Sequence, residues 1–424
     1  MNTAAALSAA LEGTVIIESG DERGEFAGVL LASFGADVIK LEGRRGSNSR
    51  RFGPFMSSQS GAEQSLCFSR YNLGKKSVSL EVDHPAARDA LVRLAQRADV
   101  IIDAGEATDV ERRLVLYRAM QEANPRLIVC TITPFGLDGP YRDLKMTDLT
   151  HLAMGGVMAS CGYDPRPDGV YDTPPIAPAM WQASHIACEN AVIAITAALN
   201  FRELTGEGDC IDVSIHEAVS LCTEVALPAY IYNSAVVQRQ TGRHAGVGST
   251  PPWLRRTKDG RYIKAFLFWS GRDVRVISEM LNEAGIPHDL ASDAYRALAK
   301  SSPAEAQAHF SAMIDTLVAS MTAEEAYHRA QTKGLLWASV RFPEENMDDP
   351  HFQARGTFQP IHHPEFAELG RDLSYPVSVA TDGKQRVTAF HRGAPQLGEH
   401  TQEVLAQAGF SGAEISALAA EGAI

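Results

Sequence analysis

Ser184 and His185 stand side by side in the stretch APAMWQASHIACENA. A serine beside a histidine suggests acyl chemistry. Adjacent residues on a helix, however, point about 100° apart and do not form a nucleophile–base pair. No GxSxG elbow surrounds them either. The nearby carboxylates are Asp148 in MTDLTHLAMGG, the loop acids Asp164, Asp168 and Asp172, and Glu189. Asp148 reads first as a helix N-cap. The loop acids read as solvating residues, and Glu189 as an exposed or ion-paired residue on a different helix face from Ser184. The cysteines at 67, 130, 161, 188, 210 and 222 form no CxxC pair and match no zinc spacing. They read as small core residues in a reducing compartment. The histidines, His362, His363 and His391 among them, form no HExxH pattern, so no metal is expected.

Cations offer a second kind of chemistry. Arg44, Arg45, Arg50 and Arg51 follow the apolar run DVIKLE, and an open α/β sheet meets its ligands where strands end. The alternative is a solvated surface. The formal net charge of −13 argues against nucleic acid as a partner, but not against a small anion held by local arginines. No apolar run reaches membrane-spanning length. The start, MNTAAALSAALEG, lacks a basic region and a long apolar stretch, so it does not read as a signal peptide, and a cytoplasmic location is expected.

These residues need a scaffold. TVIIES predicts a buried strand, EFAGVLLASFG a helix ending at Gly35, and ADVIKLE a second strand. SVSLEV, DVIIDA and RLIVCTITPF continue as strands, alternating with helices over HPAARDALVRLAQRA and 110–123. That order predicts an α/β, doubly wound, largely parallel sheet. No GxGxxG is present. Residues 134–180 read as loops around a short helix at 148–154, followed by a long helix over 182–204 that stops at Thr205-Gly206. DCIDVSIHEAVSLCTEVAL reads as a strand running into a helix. KDGRYIKAFLF reads as a hairpin with two helical stretches after it. The chain of 424 residues then divides into 1–227, a smaller α+β domain over 228–335, and a return segment with C-terminal helices over 336–424.

Several segments resemble the class III CoA-transferases. Gly24 with LLASFGADVIKLE is similar to their G…LLxxxGAxVIKVE opening, and YNLGKKSVSLEV to their NRNKRSV.LDL segment. NPRLIVCTITPFGLDGPY, AALNFRELTGEGDCIDVSIHEA and GAPQLGEHTQEVLAQAGFS resemble three later blocks, in the family's order and across most of the chain. The resemblance implies a large Rossmann-like domain plus a small one, with two chains interlocked as a dimer. It also implies transfer of coenzyme A from an acyl-CoA donor to an organic acid.

In such enzymes an aspartate opens the long helix in a D-x-x-x-G motif. It passes through a mixed anhydride to an aspartyl-CoA thioester. Counting back from AALNFRELTGEG places Ser184 at that aspartate and Cys188 at the glycine. Serine has no carbonyl on which to hold CoA. The related racemases pair a histidine with the same aspartate. Here those positions are Thr147 and Ser184, so racemisation is not expected. For CoA itself the resemblance points to Arg44, Asn72, Lys75, Lys76 and Arg112, and to Gly246 and Gly248 (with Gly242) in a loop that closes over the reacting groups. The family's ENFRPG turn is replaced by Asp103-Ala104-Gly105-Glu106, and a further CoA-facing position is the acidic Glu22.

The resulting expectation is a non-catalytic subunit of a heteromeric transferase, completed by a paralogue that carries the aspartate. Two-subunit enzymes resembling succinyl-CoA:benzylsuccinate CoA-transferase provide the pattern. An active homodimer using Asp148, or a loop aspartate brought in by a register shift of the motif, and a CoA-binding regulatory protein without turnover, are the alternatives. Trp181, Trp253, Phe266, Phe268 and Trp269 are candidates for an aromatic-acid pocket, or ordinary core.

Overall fold

The computed structural model describes residues 10–56, 64–105, 110–179, 181–223, 225–360, 371–373, 378–381, 384–387, 390 and 392–424. Glu106, His362, His363 and His391 lie outside these described residues. The chain forms two compact units: Met1–Val157, Pro178–Cys222 and Asp349–Ile424 make the first, and Met158–Ala177 with Thr223–Asp348 the second.

The first unit is built on a six-stranded parallel sheet. Its strands are β1 (Val15–Gly20), β2 (Asp37–Glu42), β3 (Lys76–Ser79), β4 (Val100–Ala104), β5 (Ile128–Thr133) and β6 (Cys210–Ser214), in the order β3-β2-β1-β4-β5-β6. β4 and β5 are buried along their whole length, as expected for strands covered on both faces. The helices are α1 (Glu25–Ser33), α2 (Leu66–Tyr71), α3 (Ala87–Ala95), α4 (Val110–Ala123), α5 (Asp148–Met154), α6 (Gln182–Thr205) and α7 (Ile215–Leu221). Strand order reverses between β1 and β4, which opens a crevice at their C-terminal ends. Gly20 permits that approach. A Cβ there would fall 1.6 Å from the Ala104 carbonyl oxygen, and its φ of +107° suits glycine alone.

The second unit carries α8 (Ala226–Asn233), the hairpin β7 (Gln238–Gln240) with β8 (Arg243–Gly246), and a three-stranded antiparallel sheet of β9 (Leu254–Arg256), β10 (Tyr262–Ala265) and β11 (Trp337–Ser339). Four helices accompany the sheet: α9 (Gly271–Glu283), α10 (Asp293–Ser301), α11 (Pro303–Ala319) and α12 (Ala323–Thr332). One side of β10 presents Ile263 and Ala265 to a core that includes Ile277, Phe310, Ile314 and Trp337.

Two features differ from the sequence expectation. The 337–339 strand pairs with β10 rather than returning to the large sheet, so the second unit runs on to Asp348. The loop 158–177 also belongs to it. Asp164 accepts from the Thr241 N–H, and the Arg239 guanidinium sits 3.9 Å from the Tyr171 ring. Such contacts leave no periodic signal in the loop. In the first unit the C-terminal helices α14 (Thr401–Gln407) and α15 (Gly412–Glu421), which come after α13 (Pro350–Ala354), add Val404, Leu405 and Leu418 to the core of the large sheet.

Candidate functional site

α6 begins awkwardly. Its N-cap, Trp181, has φ 65° and offers no side-chain cap, which leaves the first N–H groups of a 24-residue helix unanswered. Asp148 answers one of them. Its Oδ1 accepts from the Ser184 backbone N–H at 2.9 Å and from the Ser184 hydroxyl at 3.0 Å. Asp148, expected as a helix N-cap or a structural hydrogen-bonding group, serves as both, for a helix other than the one it stands in: Thr147 caps α5, through a reciprocal pair with Thr150, while Asp148 caps α6 from outside. The two sequence candidates for the reacting group are thus hydrogen-bonded to each other.

Ser184 is 4% exposed. The niche beside it is about 10 Å³, room for one water. Glu22, Glu25, Phe26, Cys67, Tyr71, Trp181 and His185 complete its wall. His185 stacks on Phe26 with ring centroids 4.1 Å apart, and its Nε2 lies 2.9 Å from the Tyr71 hydroxyl. Burial depresses the His185 pKa and raises that of Tyr71 to about 12. Burial, aided by the neighbouring Asp21, raises the Glu22 pKa. Cys188, at the position of the motif glycine, is fully buried and donates its thiol to the Arg23 carbonyl. Glu189 is exposed. Sequence reasoning missed Tyr71, which lies 114 positions from its histidine partner and belongs to no local pattern.

A larger cleft of about 540 Å³ opens at the β1/β4 crevice. Leu41, Leu80, Leu91, Ile101, Leu116 and Met120 form apolar walls. Its polar lining includes Ser19, Asp21, Ser47, Asn48, Glu81, Asp83, Asp103, Arg112 and Arg113. Burial raises the Asp103 and Asp21 pKa values against the pull of Arg113 and Arg23 respectively. Tyr117 donates to Asp103. Arg112 pairs with Asp83, and Arg113 lies 3.4 Å from Asp103. Arg44, Arg45 and Arg51 are exposed beside the lining residues Gly43 and Gly46. The Arg44 guanidinium donates to the Ile424 carbonyl at 3.3 Å, and its backbone N–H to Glu81 Oε1 at 2.8 Å.

The other proposed CoA contacts lie elsewhere. Lys75 is fully buried and gives its ammonium to Glu18 at 2.7 Å, to the Glu25 carbonyl and to Asn72 Oδ1. Asn72 is itself buried, and its amide N–H donates to the Phe68 carbonyl. Lys76 bonds Asp37 at 2.9 Å. Arg50 is a two-toothed partner of Glu42 and is equally buried. The charges of Lys75, Lys76 and Arg50 are each paired with a carboxylate of the first unit. The carboxylate of Glu25 would be raised by burial alone. Lys40, Lys75 and the hydroxyls of Ser49 and Ser47 outweigh that and hold it at about 2.

In the second unit, the glycine loop is fastened rather than loose. Gln240 donates to the carbonyls of His244 and Gly248, and its Oε1 accepts from the Thr250 N–H and hydroxyl and from Arg243 Nε. The aromatic candidates divide between the units. Trp181 stacks on Phe52, Trp269 packs edge-on to the core residue Phe310, and Trp253, Phe266 and Phe268 form a chain of edge contacts. Among the described residues no three His, Cys, Asp or Glu side chains converge as metal ligands. No helix among them is long and apolar enough to cross a membrane.

A doubly wound parallel sheet with a cleft at its switch point, and a long helix beginning where the reacting group is expected, define a class that comparison makes specific. Residues 11–401 match the family model described as CoA-transferase family III, and the chain belongs to that family. It is 27% identical over 415 residues to the succinyl-CoA:(R)-benzylsuccinate CoA-transferase subunit BbsE of Thauera aromatica, covering 96% of this chain and 97% of that one. It is 28% identical over 381 residues to the succinyl-CoA–L-malate CoA-transferase beta subunit of Chloroflexus aurantiacus, covering 90% and 89%. The crystal structure of a CAIB/BAIF family protein from Brucella suis superposes with a TM-score of 0.75 at 23% identity, over 95% of this chain and 100% of that one, a likeness of fold.

Proposed function

We propose that this chain is the non-catalytic subunit of a two-chain CoA-transferase that exchanges CoA between an acyl-CoA donor and an organic acid. The observation that carries the reading is the hydrogen-bonded pair at the start of α6. Ser184 occupies the nucleophile position, and Asp148, the carboxylate in contact with it, spends Oδ1 on capping the helix. CoA transfer of this kind needs a carboxylate that can become an acyl group and then a thioester, and a hydroxyl cannot do this. Two of the relatives are named as subunits, which supports a partner chain. So do Ile193, Phe201, Leu204 and Leu221, exposed apolar residues on α6 and α7 that a second, interlocked family chain would cover. The location in this reading is cytoplasmic.

The β1/β4 cleft is the proposed seat of the CoA nucleotide. Its apolar walls suit the adenine ring, while Arg44, Arg45 and Arg112 are the cations for the phosphates. Asp83 and Asp103 oppose that charge, so weak CoA binding is expected.

A second reading has one observation in its favour. Ser184 engages only Oδ1 of Asp148, and no partner for Oδ2 occurs among the described residues. That oxygen could attack a thioester in an active homodimer.

The test is transfer of CoA from succinyl-CoA to organic acids by the purified chain, alone and mixed with a family chain that carries aspartate at the matching position. The proposal expects no transfer alone and transfer by a 1:1 complex. Turnover by the chain alone would contradict it.

A further inference from the structure

The outer face of the antiparallel sheet in the second unit carries a feature that its core does not explain. β10 and the residues after it alternate strictly. Ile263, Ala265 and Leu267 turn into the core and are at most 5% exposed, so Tyr262, Lys264, Phe266 and Phe268 share the opposite face. That face is open: Phe268 is 69% exposed and Tyr262 49%. Its rings are ordered. Phe268 meets Phe266 edge-on at 4.9 Å, Phe266 meets Trp253 at 4.7 Å, and Trp253 meets His244 of the glycine-rich hairpin at 6.3 Å. Lys264 Nζ lies 5.4 Å from the Trp253 ring centre. Among the described residues it has no carboxylate partner, although the chain carries thirteen more acids than bases. A cation left over an aromatic face in so acidic a protein calls for an anion brought from outside.

We infer that this ladder binds carboxylic acids that bear an aromatic ring. The carboxylate would pair with Lys264, and the ring would lie against the exposed Phe268 and the half-buried Phe266 beside it. An aliphatic acid would satisfy the lysine alone. The inference rests on the CoA-transferase reading for its meaning, since such an acid would be the acceptor class. The binding itself does not depend on that reading.

The test uses the full-length chain and tryptophan emission, titrated with phenylacetate, cyclohexylacetate and acetate, with CoA titrated separately by calorimetry. Four tryptophans are present, so Trp253→Phe assigns the signal. Phenylacetate should quench saturably, cyclohexylacetate more weakly, and acetate not at all. Lys264→Gln should weaken phenylacetate about tenfold or more and leave CoA affinity unchanged, with Lys264→Arg retaining binding as the control for folding. Equal response to acetate would overturn the inference, as would absence of saturable phenylacetate binding. It would equally fall if hydrogen exchange showed 262–268 covered by a second family chain. Failure of CoA to bind, with phenylacetate binding intact, would strike the transferase reading and leave this one standing.

Discussion

The buried charges repay attention one residue at a time. Glu18, Lys40 and Lys75 are each at most 1% exposed, and both lysines donate to Glu18. Charges at such depth persist only when paired. Lys75→Met should therefore cost about 3–5 kcal/mol, read by urea unfolding, because Lys40 alone is then left to balance Glu18 and Glu25 and Glu18 Oε2 loses its donor. Unchanged stability would mean that the ammonium is not needed there. His151 provides a pH signature. It is 1% exposed, neither ring nitrogen has a partner among the described residues, and burial beside His216 and Arg23 pushes its pKa down to about 4. Between the ordinary value near 6.5 and about 4, the unfolded chain binds a proton that the fold refuses. Stability should thus be unaffected by this residue above pH 6.5 and fall as pH drops toward 4, by about 3 kcal/mol in all. His151→Phe should flatten that slope. A slope identical to the parent's would show that other groups cause it. The residue types at these sites were plain in the sequence, but their partners were not. Lys75 looked like a phosphate ligand because it sits in a basic pair. Only the parallel register of β1, β2 and β3 reveals that Glu18 waits beside it.

At the scale of elements, α6 depends on a cap borrowed from α5. Asp148→Ala should cost about 1 kcal/mol, and the amides of the first turn of α6 should exchange faster, while those of α4 do not. No change at 182–185 would refute the cap. Most elements were legible because their hydrophobic period was clear: the helix at 110–123, the short one at 148–154 and the strands from β1 to β6 lie close to where pattern and turn residues put them. The misplacements came from elements whose partners are distant. WAS at 337–339 reads as a strand in either unit, and only its pairing with 263–265 decides. The two helical stretches after the hairpin resolve into four helices, because the later breaks are short: Ser302 alone separates α10 from α11, and Ser320–Thr322 separate α11 from α12.

For the whole molecule, the fold was legible from block order, while the assignment of the reacting position to Ser184 rests on a count along one helix, α6, which runs unbroken from Gln182 to Thr205. The cleft was legible only as a place, the ends of β1 and β4. Its acidic lining gathers Asp21, Glu81, Asp83 and Asp103 from three separate segments, and no linear motif unites them. That lining makes a further prediction for CoA. Affinity should be weak, and Asp83→Asn, which removes a negative charge beside Arg112, should strengthen it several-fold. Calorimetry at fixed salt would decide, and weaker binding in the variant would remove the cleft from the account.

On the proposed function, this chain lacks a working nucleophile. The most direct measurement is trapping: incubation of the purified chain with succinyl-CoA and other acyl-CoA donors, reduction with borohydride, and peptide mapping by mass spectrometry. An acid that carries CoA as a thioester would be reduced to an alcohol at one identifiable position. The account predicts no modified acid anywhere in this chain, and a trapped aspartate in its partner when the two are mixed. A reduced residue at Asp148, or at any other carboxylate of this chain, would contradict it and name the nucleophile.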